Sequence, residues 1–248
     1  MTALVLVAHG SRNPHAERVV LDLTELISSR RPDPPVRASF LDHTAPTPLA
    51  AVLELATAGV LDVLLVPLLF APGFHVREDL PGVIAQARAE VPGLSVRMSP
   101  TLADEGADPA GGELLLDLLD RRLAETRIDP GALVLAAAGS SDADARAVVH
   151  ALATKWGTRR GLPAAAAFAS GPEARPETAV DALGRASNVP AARVAVGMLF
   201  LADGFLPGRT RNSVAAAGAL CAPVLGAAPE LAELVLRRYD SSVALSSA

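Results

Sequence analysis

Cysteine is nearly absent from this chain of 248 residues, with Cys221 the single example. An internal disulfide and any cysteine-cluster metal site are therefore excluded, and the composition fits a reducing compartment. Aromatic side chains are scarce too, one Trp, one Tyr and six Phe, so the core has to be built from Ala, Val and Leu. Positive charge is not in excess. The formal net charge of −5 argues against a surface that binds nucleic acid non-specifically. No apolar run approaches the roughly 20 residues of a membrane span. The opening MTALVLVAHGSR has no leading basic residues and reads as a strand, not a signal peptide, so a cytoplasmic protein is expected. Also missing are the G-x-S-x-G elbow of serine hydrolases, the G-x-x-x-x-G-K-[ST] phosphate loop and the H-E-x-x-H zinc motif.

What is present is organised around LDVLLVPLLFAPGFHVREDLP at 61–81. Its first half reads as a central parallel strand buried on both faces, and Pro72-Gly73 mark the turn after it. His75 follows at the carboxyl end, where open α/β sheets bind their ligands. Around it the periodicity predicts strand Ala3–Ala8, a helix from Pro14 to about Arg30 with Asn13 as N-cap, strand Val36–Leu41, helix Thr47–Ala58, helix Glu78–Glu90 and strand Leu94–Met98. Residues 99–112 have linker composition and lead into a helix over Glu113–Thr126. The pattern then restarts: strand Ala132–Ala138, a helix through Ala153, strand Ala164–Ala169, helix Pro176–Ala186 and strand Arg193–Leu201. A helix near Arg211–Leu220, a short strand Pro223–Leu225, a helix from Pro229 and a poorly structured tail, Ser241–Ala248, complete it. Alternating strands and helices predict an α/β protein with parallel sheets covered by helices.

The restart is a duplication. LVLVAHGS at 4–11 aligns with LVLAAAGS at 133–140, an offset of 129 that pairs His9 with Ala138. LLFAPGFH at 68–75 aligns with LFLADGFL at 199–206, an offset of 131 that pairs His75 with Leu206. Chance likeness between apolar strands does not produce near-equal offsets. Two similar flavodoxin-like lobes are expected, residues 1–100 carrying the histidine pair and residues 113–240 lacking it.

Strand–HGSR, a strand-ending FLD and PLLFAPGFHVREDLP together resemble the sirohydrochlorin chelatases, in the two-lobed long form. The likeness is strongest over residues 3–100. It implies ATP-independent insertion of Fe²⁺ or Co²⁺ into a reduced tetrapyrrole, with His9 and His75 as metal ligands and catalytic groups. It also implies a carboxylate at the end of the second strand, where the family often has glutamate and this chain has Asp42. The metal is then a substrate, with no permanently bound cofactor, and sirohydrochlorin is the partner, with neither nucleic acid nor membrane. Fe²⁺ insertion to siroheme is placed ahead of Co²⁺ insertion for corrinoid synthesis.

The chemistry supports this independently. If strands one and three are neighbours, their ends lie about 5 Å apart, and two imidazoles can meet over one ion. Imidazole suits Fe²⁺, Co²⁺, Ni²⁺ and Zn²⁺ alike. An incomplete ligand set fits a metal that is handed on, and a neutral imidazole can also accept a pyrrole proton. Ser11 and Arg12 sit at a helix N-terminus that favours anions. With Phe74, Arg77, Arg209 and Arg211 they are the candidate contacts for a polycarboxylate substrate. His15 reads as a surface residue, His43 as a cover of the sheet edge and His150 as structural. Histidine phosphatases need an arginine where Ala8 stands. The remaining rivals are a non-catalytic tetrapyrrole or metal carrier on the same scaffold, and an anion-binding domain using the Gly-Ser turns.

Overall fold

Unbroken runs of Val, Leu and Ala make the central strands. The structure, a computed structural model, describes residues 2–104 and 109–244. In chain order the elements begin β1 (Ala3–Ala8), α1 (Pro14–Arg30), β2 (Val36–Phe40), α2 (Pro48–Thr57), β3 (Asp62–Pro67), one π-helical turn (His75–Asp79), α3 (Leu80–Glu90) and β4 (Ser95–Met98). They continue with α4 (Pro109–Ala124), β5 (Ala132–Ala137), α5 (Ala143–Arg160), β6 (Ala164–Phe168), α6 (Pro176–Ser187), β7 (Val194–Leu199), α7 (Phe205–Ala216), β8 (Leu220–Cys221) and α8 (Pro229–Ala244). No helix among the described residues is long and apolar enough to cross a membrane.

Two four-stranded parallel sheets result, ordered β2-β1-β3-β4 and β6-β5-β7-β8. Both have the flavodoxin-like order, and their registers match. Leu6 pairs with Val66 in one sheet and Leu135 with Gly197 in the other, which reproduces the offsets of 129 and 131. The α/β class and the two similar lobes are therefore as the sequence implies. Each sheet belongs to its own compact unit, residues 1–115 with 227–248 and residues 116–226.

In the first unit, Ala3, Val5, Val7, Val63 and Leu65 form one core with Val52 and Leu55 of α2 and Leu80 and Ala87 of α3. Asn13 and Thr47 cap α1 and α2, accepting from the amides of His15 and Ala50 at 3.1 and 3.2 Å. Proline follows each cap, where its missing N–H costs nothing. In the second unit Ala132, Val134, Ala136, Val194 and Val196 pack with α6 and α7. Fully buried Trp156 donates to Asp120 at 2.8 Å.

Sequence order placed residues 113–240 in the second lobe, but α8 joins the first unit, where it contacts α1 and β3. Its apolar stripe (Leu231, Leu234, Val235) is buried. Tyr239 Oη donates to the carbonyl of Thr2 at 2.7 Å. Buried Arg238 donates to the carbonyls of Leu102 and Asp104 at 3.2 and 2.5 Å, and Arg31 chelates the Asp240 carboxylate at 2.5 and 2.9 Å. An amphipathic stripe fits either sheet, so the pattern alone could not choose. Tyr239→Phe removes the one hydrogen bond and strands a buried carbonyl. It should cost about 1 kcal/mol and lower the melting midpoint by roughly 2–4 °C, read by thermal denaturation.

Other boundaries moved for local reasons. α5 continues past Ala153 to Arg160 because Trp156 is core and Gly157 permits a close turn, a Cβ there lying 2.5 Å from that of Ala164. α7 begins at Phe205, not Arg211, since Pro207 is tolerated in a first turn. The last strand pairs at Leu220–Cys221, not Pro223–Leu225. The segment read as a linker is packed over 99–104, with Leu102 fully buried, and α4 begins at Pro109. Residues 105–108 lie outside the described residues. So do 245–248 of the expected tail, whose first four residues, 241–244, are helical.

Candidate functional site

β1 and β3 are hydrogen-bonded neighbours whose carboxyl ends point the same way. Gly10 turns the chain sharply after β1 with φ +90°, and Asp42 N–H donates to the carbonyl of His9 at 2.9 Å. Ser11 Oγ accepts from the amide of Asn13 at 3.1 Å to start α1. Its counterpart Ser140 does the same for Asp142 at 3.1 Å. On the other side, Leu68 N–H donates to Val7 at 2.8 Å, and the loop then leads to His75, the first residue of the π-helical turn.

The imidazoles of His9 and His75 meet there. Their rings are perpendicular, at 89° with centroids 4.7 Å apart, and the two Nε2 atoms are 3.2 Å apart. At that separation one nitrogen can donate and the other accept. With metal–nitrogen bonds of about 2.1 Å, nitrogens 3.2 Å apart subtend about 100° at an ion, between the ~90° of octahedral and the ~109° of tetrahedral coordination. The two nitrogens are thus spaced as two ligands of one metal would be. Among the described residues no group of three or more His, Cys, Asp or Glu is placed to hold a metal. The pair therefore leaves most coordination positions to other ligands.

Asp42, expected as a third ligand, is not brought to this pair. β2 ends at Phe40, and Leu41 and Asp42 are pinned through their amides to the carbonyls of Ala8 and His9 at 3.0 and 2.9 Å. The Asp42 carboxylate turns to His43 instead, accepting from its amide at 2.8 Å and lying 3.3 Å from its Nε2. His43, at φ +62°, pairs with Asp42 in that loop where a sheet-edge cover was expected. Ser11 and Arg12 follow His9; Arg12 is exposed, and its guanidinium has no partner among the described residues. Phe74 is 65% exposed and sits edge-on to His75 at 6.1 Å. Arg77 is exposed, and its Nε donates to the carbonyl of Pro72 at 3.1 Å, tying down the loop. Arg209 and Arg211 are exposed on α7 of the second unit, where Arg211 bonds Asp203 at 2.6 Å. Ala138 and Leu206 occupy the positions matching the two histidines.

Two contacts had no part in the sequence reading. Asp79 Oδ2 lies 2.5 Å from His75 Nδ1; its spacing of four from a histidine opening a helix was the available signal. In the second unit Glu173 takes His150 Nε2 at 2.6 Å and Arg146 Nε at 2.5 Å. The hydrogen bond from His150, with help from Arg146, holds its carboxyl below the ordinary range. His150 has a hydrogen-bonded carboxylate partner but stays far more exposed than a core histidine.

The family model described as CbiX matches residues 3–126 and again 132–242, one copy for each half of the duplication. A sirohydrochlorin cobaltochelatase of Methanococcoides burtonii is 32% identical over 81 residues, 33% of this chain and 62% of that protein. A sirohydrochlorin cobaltochelatase of Methanosarcina acetivorans is 29% identical over 130 residues, 49% of this chain and 94% of that one. The matched stretch thus spans less than two thirds of the first relative's length. SirB from Bacillus subtilis, solved with Fe³⁺, superposes with a TM-score of 0.82 over 99% of this chain and 97% of that one, at 19% identity. That likeness is one of fold.

Proposed function

The chain belongs to the CbiX family, and from that premise we propose that it is an enzyme inserting a divalent metal into sirohydrochlorin without ATP. Fe²⁺ is the preferred ion. The observation that carries the reading is the histidine pair, two Nε2 atoms 3.2 Å apart at the carboxyl end of adjacent central strands. The pair offers an ion two neutral nitrogen ligands and leaves its other positions for the pyrrole nitrogens. Insertion releases two pyrrole N–H protons, and an imidazole freed as the metal moves to the macrocycle is a base already in place. Arg12 and Arg77, beside the two histidines in sequence and exposed, are the cations for the substrate's carboxylates. Cobalt is the second reading, favoured by the names of the curated relatives; two imidazoles bind either ion.

Anaerobic incubation of the protein with sirohydrochlorin and each ion, followed by absorption spectroscopy, tests the proposal. Turnover faster with Fe²⁺ than with Co²⁺ is expected, and the reverse order selects the cobalt reading. Tight binding of sirohydrochlorin with no acceleration by either ion would make the protein a carrier. Arg12→Ala should raise KM for sirohydrochlorin roughly three- to tenfold with kcat little changed, because a carboxylate clamp is used equally before and during insertion. A fall in kcat at constant KM would remove Arg12 from that role.

A further inference from the structure

The geometry points to Asp79 as the positioning residue that fixes the tautomer and ring orientation of His75; the inference rests on the reading of His9 and His75 as the metal-handling pair. Asp79 Oδ2 lies 2.5 Å from His75 Nδ1. A carboxylate only accepts, so Nδ1 carries the hydrogen and the Nε2 lone pair of neutral His75 is turned outward, towards His9. The 3.2 Å contact between the two Nε2 atoms then has one consistent assignment, with His9 Nε2 donating and His75 Nε2 accepting. The two histidines are not equivalent. His75 is a ligand ready before metal arrives, while His9 has to turn its hydrogen away or release it before its own Nε2 can bind.

The backbone is shaped for this contact. His75–Asp79 is a π-helical turn in which Leu80 N–H reaches back to the carbonyl of His75, a rare geometry that recurs at functional sites. The wider turn stacks residues four apart more nearly one above the other than an α-helix does. The duplicated half supplies an internal comparison. There Leu206 replaces His75, and the helix is an ordinary α-helix from Phe205. Its residue opposite Asp79 is Thr210 at the offset of 131, or Arg209 if the extra residue of the π turn is discounted. Imidazole, carboxylate and π turn are absent together. Folding alone does not require Asp79, whose side chain is 42% exposed, and the second unit builds the same strand–loop–helix passage without it.

The test uses Asp79→Ala and Asp79→Asn in the full chain, with three readouts. Long-range ¹H–¹⁵N spectra of histidine-labelled protein report the tautomer. Wild type should show His75 with its hydrogen on Nδ1. Asp79→Ala should distribute it over both nitrogens, and Asp79→Asn, which keeps an acceptor oxygen, should restore much of the wild-type state. Titration with Co²⁺ alone should show affinity falling ten- to a hundredfold in Asp79→Ala, the range found when a carboxylate behind a metal-binding histidine is removed. With sirohydrochlorin, kcat should fall while KM holds. An unchanged His75 tautomer in Asp79→Ala, or Co²⁺ affinity within threefold of wild type, overturns the inference. A wild type that binds Co²⁺ but inserts neither ion sinks the chelatase reading instead, and leaves the tautomer and affinity results to decide Asp79.

Discussion

His75→Ala should lower sirohydrochlorin metallation by at least about 10²-fold while leaving the melting transition within a degree or two of wild type. The side chain is 36% exposed, so little packing is lost with it. The neighbouring apolar contacts come from Val76 and Leu80, which are buried and untouched. What disappears is the proposed ligand nitrogen and proton acceptor, together with the partner of His9. His9→Ala should behave similarly. On the proposed reading that the two rings address one ion, the double variant should be little worse than either single one, in the manner of groups that act as a unit. Asp42→Ala is the matched comparison, since its carboxylate faces His43; turnover close to wild type is expected. Near-normal insertion by His75→Ala would remove the mechanism. Lost activity together with a lost melting transition would make the histidines props for their loops.

Gly10→Ala should severely destabilise the fold of the first unit. At φ +90° an L side chain costs about 1–2 kcal/mol from backbone sterics. A Cβ would also fall 1.8 Å from the carbonyl oxygen of Asp42. That atom is main chain, tied to the end of β1 through the Asp42 N–H bond to His9 at 2.9 Å, so relief requires the two strand-end loops to part. A loss of roughly 3 kcal/mol or more follows, near 6–12 °C in melting midpoint, and His9 moves with its peptide. Gly139 provides a control in the second unit, with φ +101° and a Cβ 2.0 Å from the Ser170 carbonyl. Gly139→Ala should destabilise comparably yet leave Co²⁺ affinity unaltered, as no histidine adjoins it. Equal loss of Co²⁺ binding in both variants would show that the effect is general unfolding.

These two expectations mark what the residues alone could convey. The adjacency of β1 and β3 was legible because both are unbroken apolar runs, which only the interior of a parallel sheet accommodates. The duplication showed which lobe holds the pair His9 and His75. Asp42 misled because its place in the chain, at the end of a strand, says nothing about which way a side chain turns once its backbone is tied to a neighbouring loop. Asp79 went unread because an acidic residue in the first turn of a helix has an ordinary explanation in the helix dipole. The π turn that aims it at His75 leaves no mark in periodicity over five residues. α8 was assigned to the wrong sheet for a related reason: amphipathicity states that a face must be covered, not what it covers.

The return of α8 to the first sheet sets a timetable for the nascent chain. The strands carrying both histidines are complete once residue 98 has been made, yet Thr2 and Leu102 wait for Tyr239 and Arg238 to satisfy their carbonyls. Translation at roughly 5–20 residues per second puts the interval at about 7–28 s. Through that time the face of the first sheet that receives Leu231, Leu234 and Val235 has no permanent cover. The second unit, residues 116–226, is contiguous and can close as soon as it is synthesised. The lobe lacking the His9–His75 pair therefore matures first, and the lobe carrying that pair last, although its strands were the first to leave the ribosome.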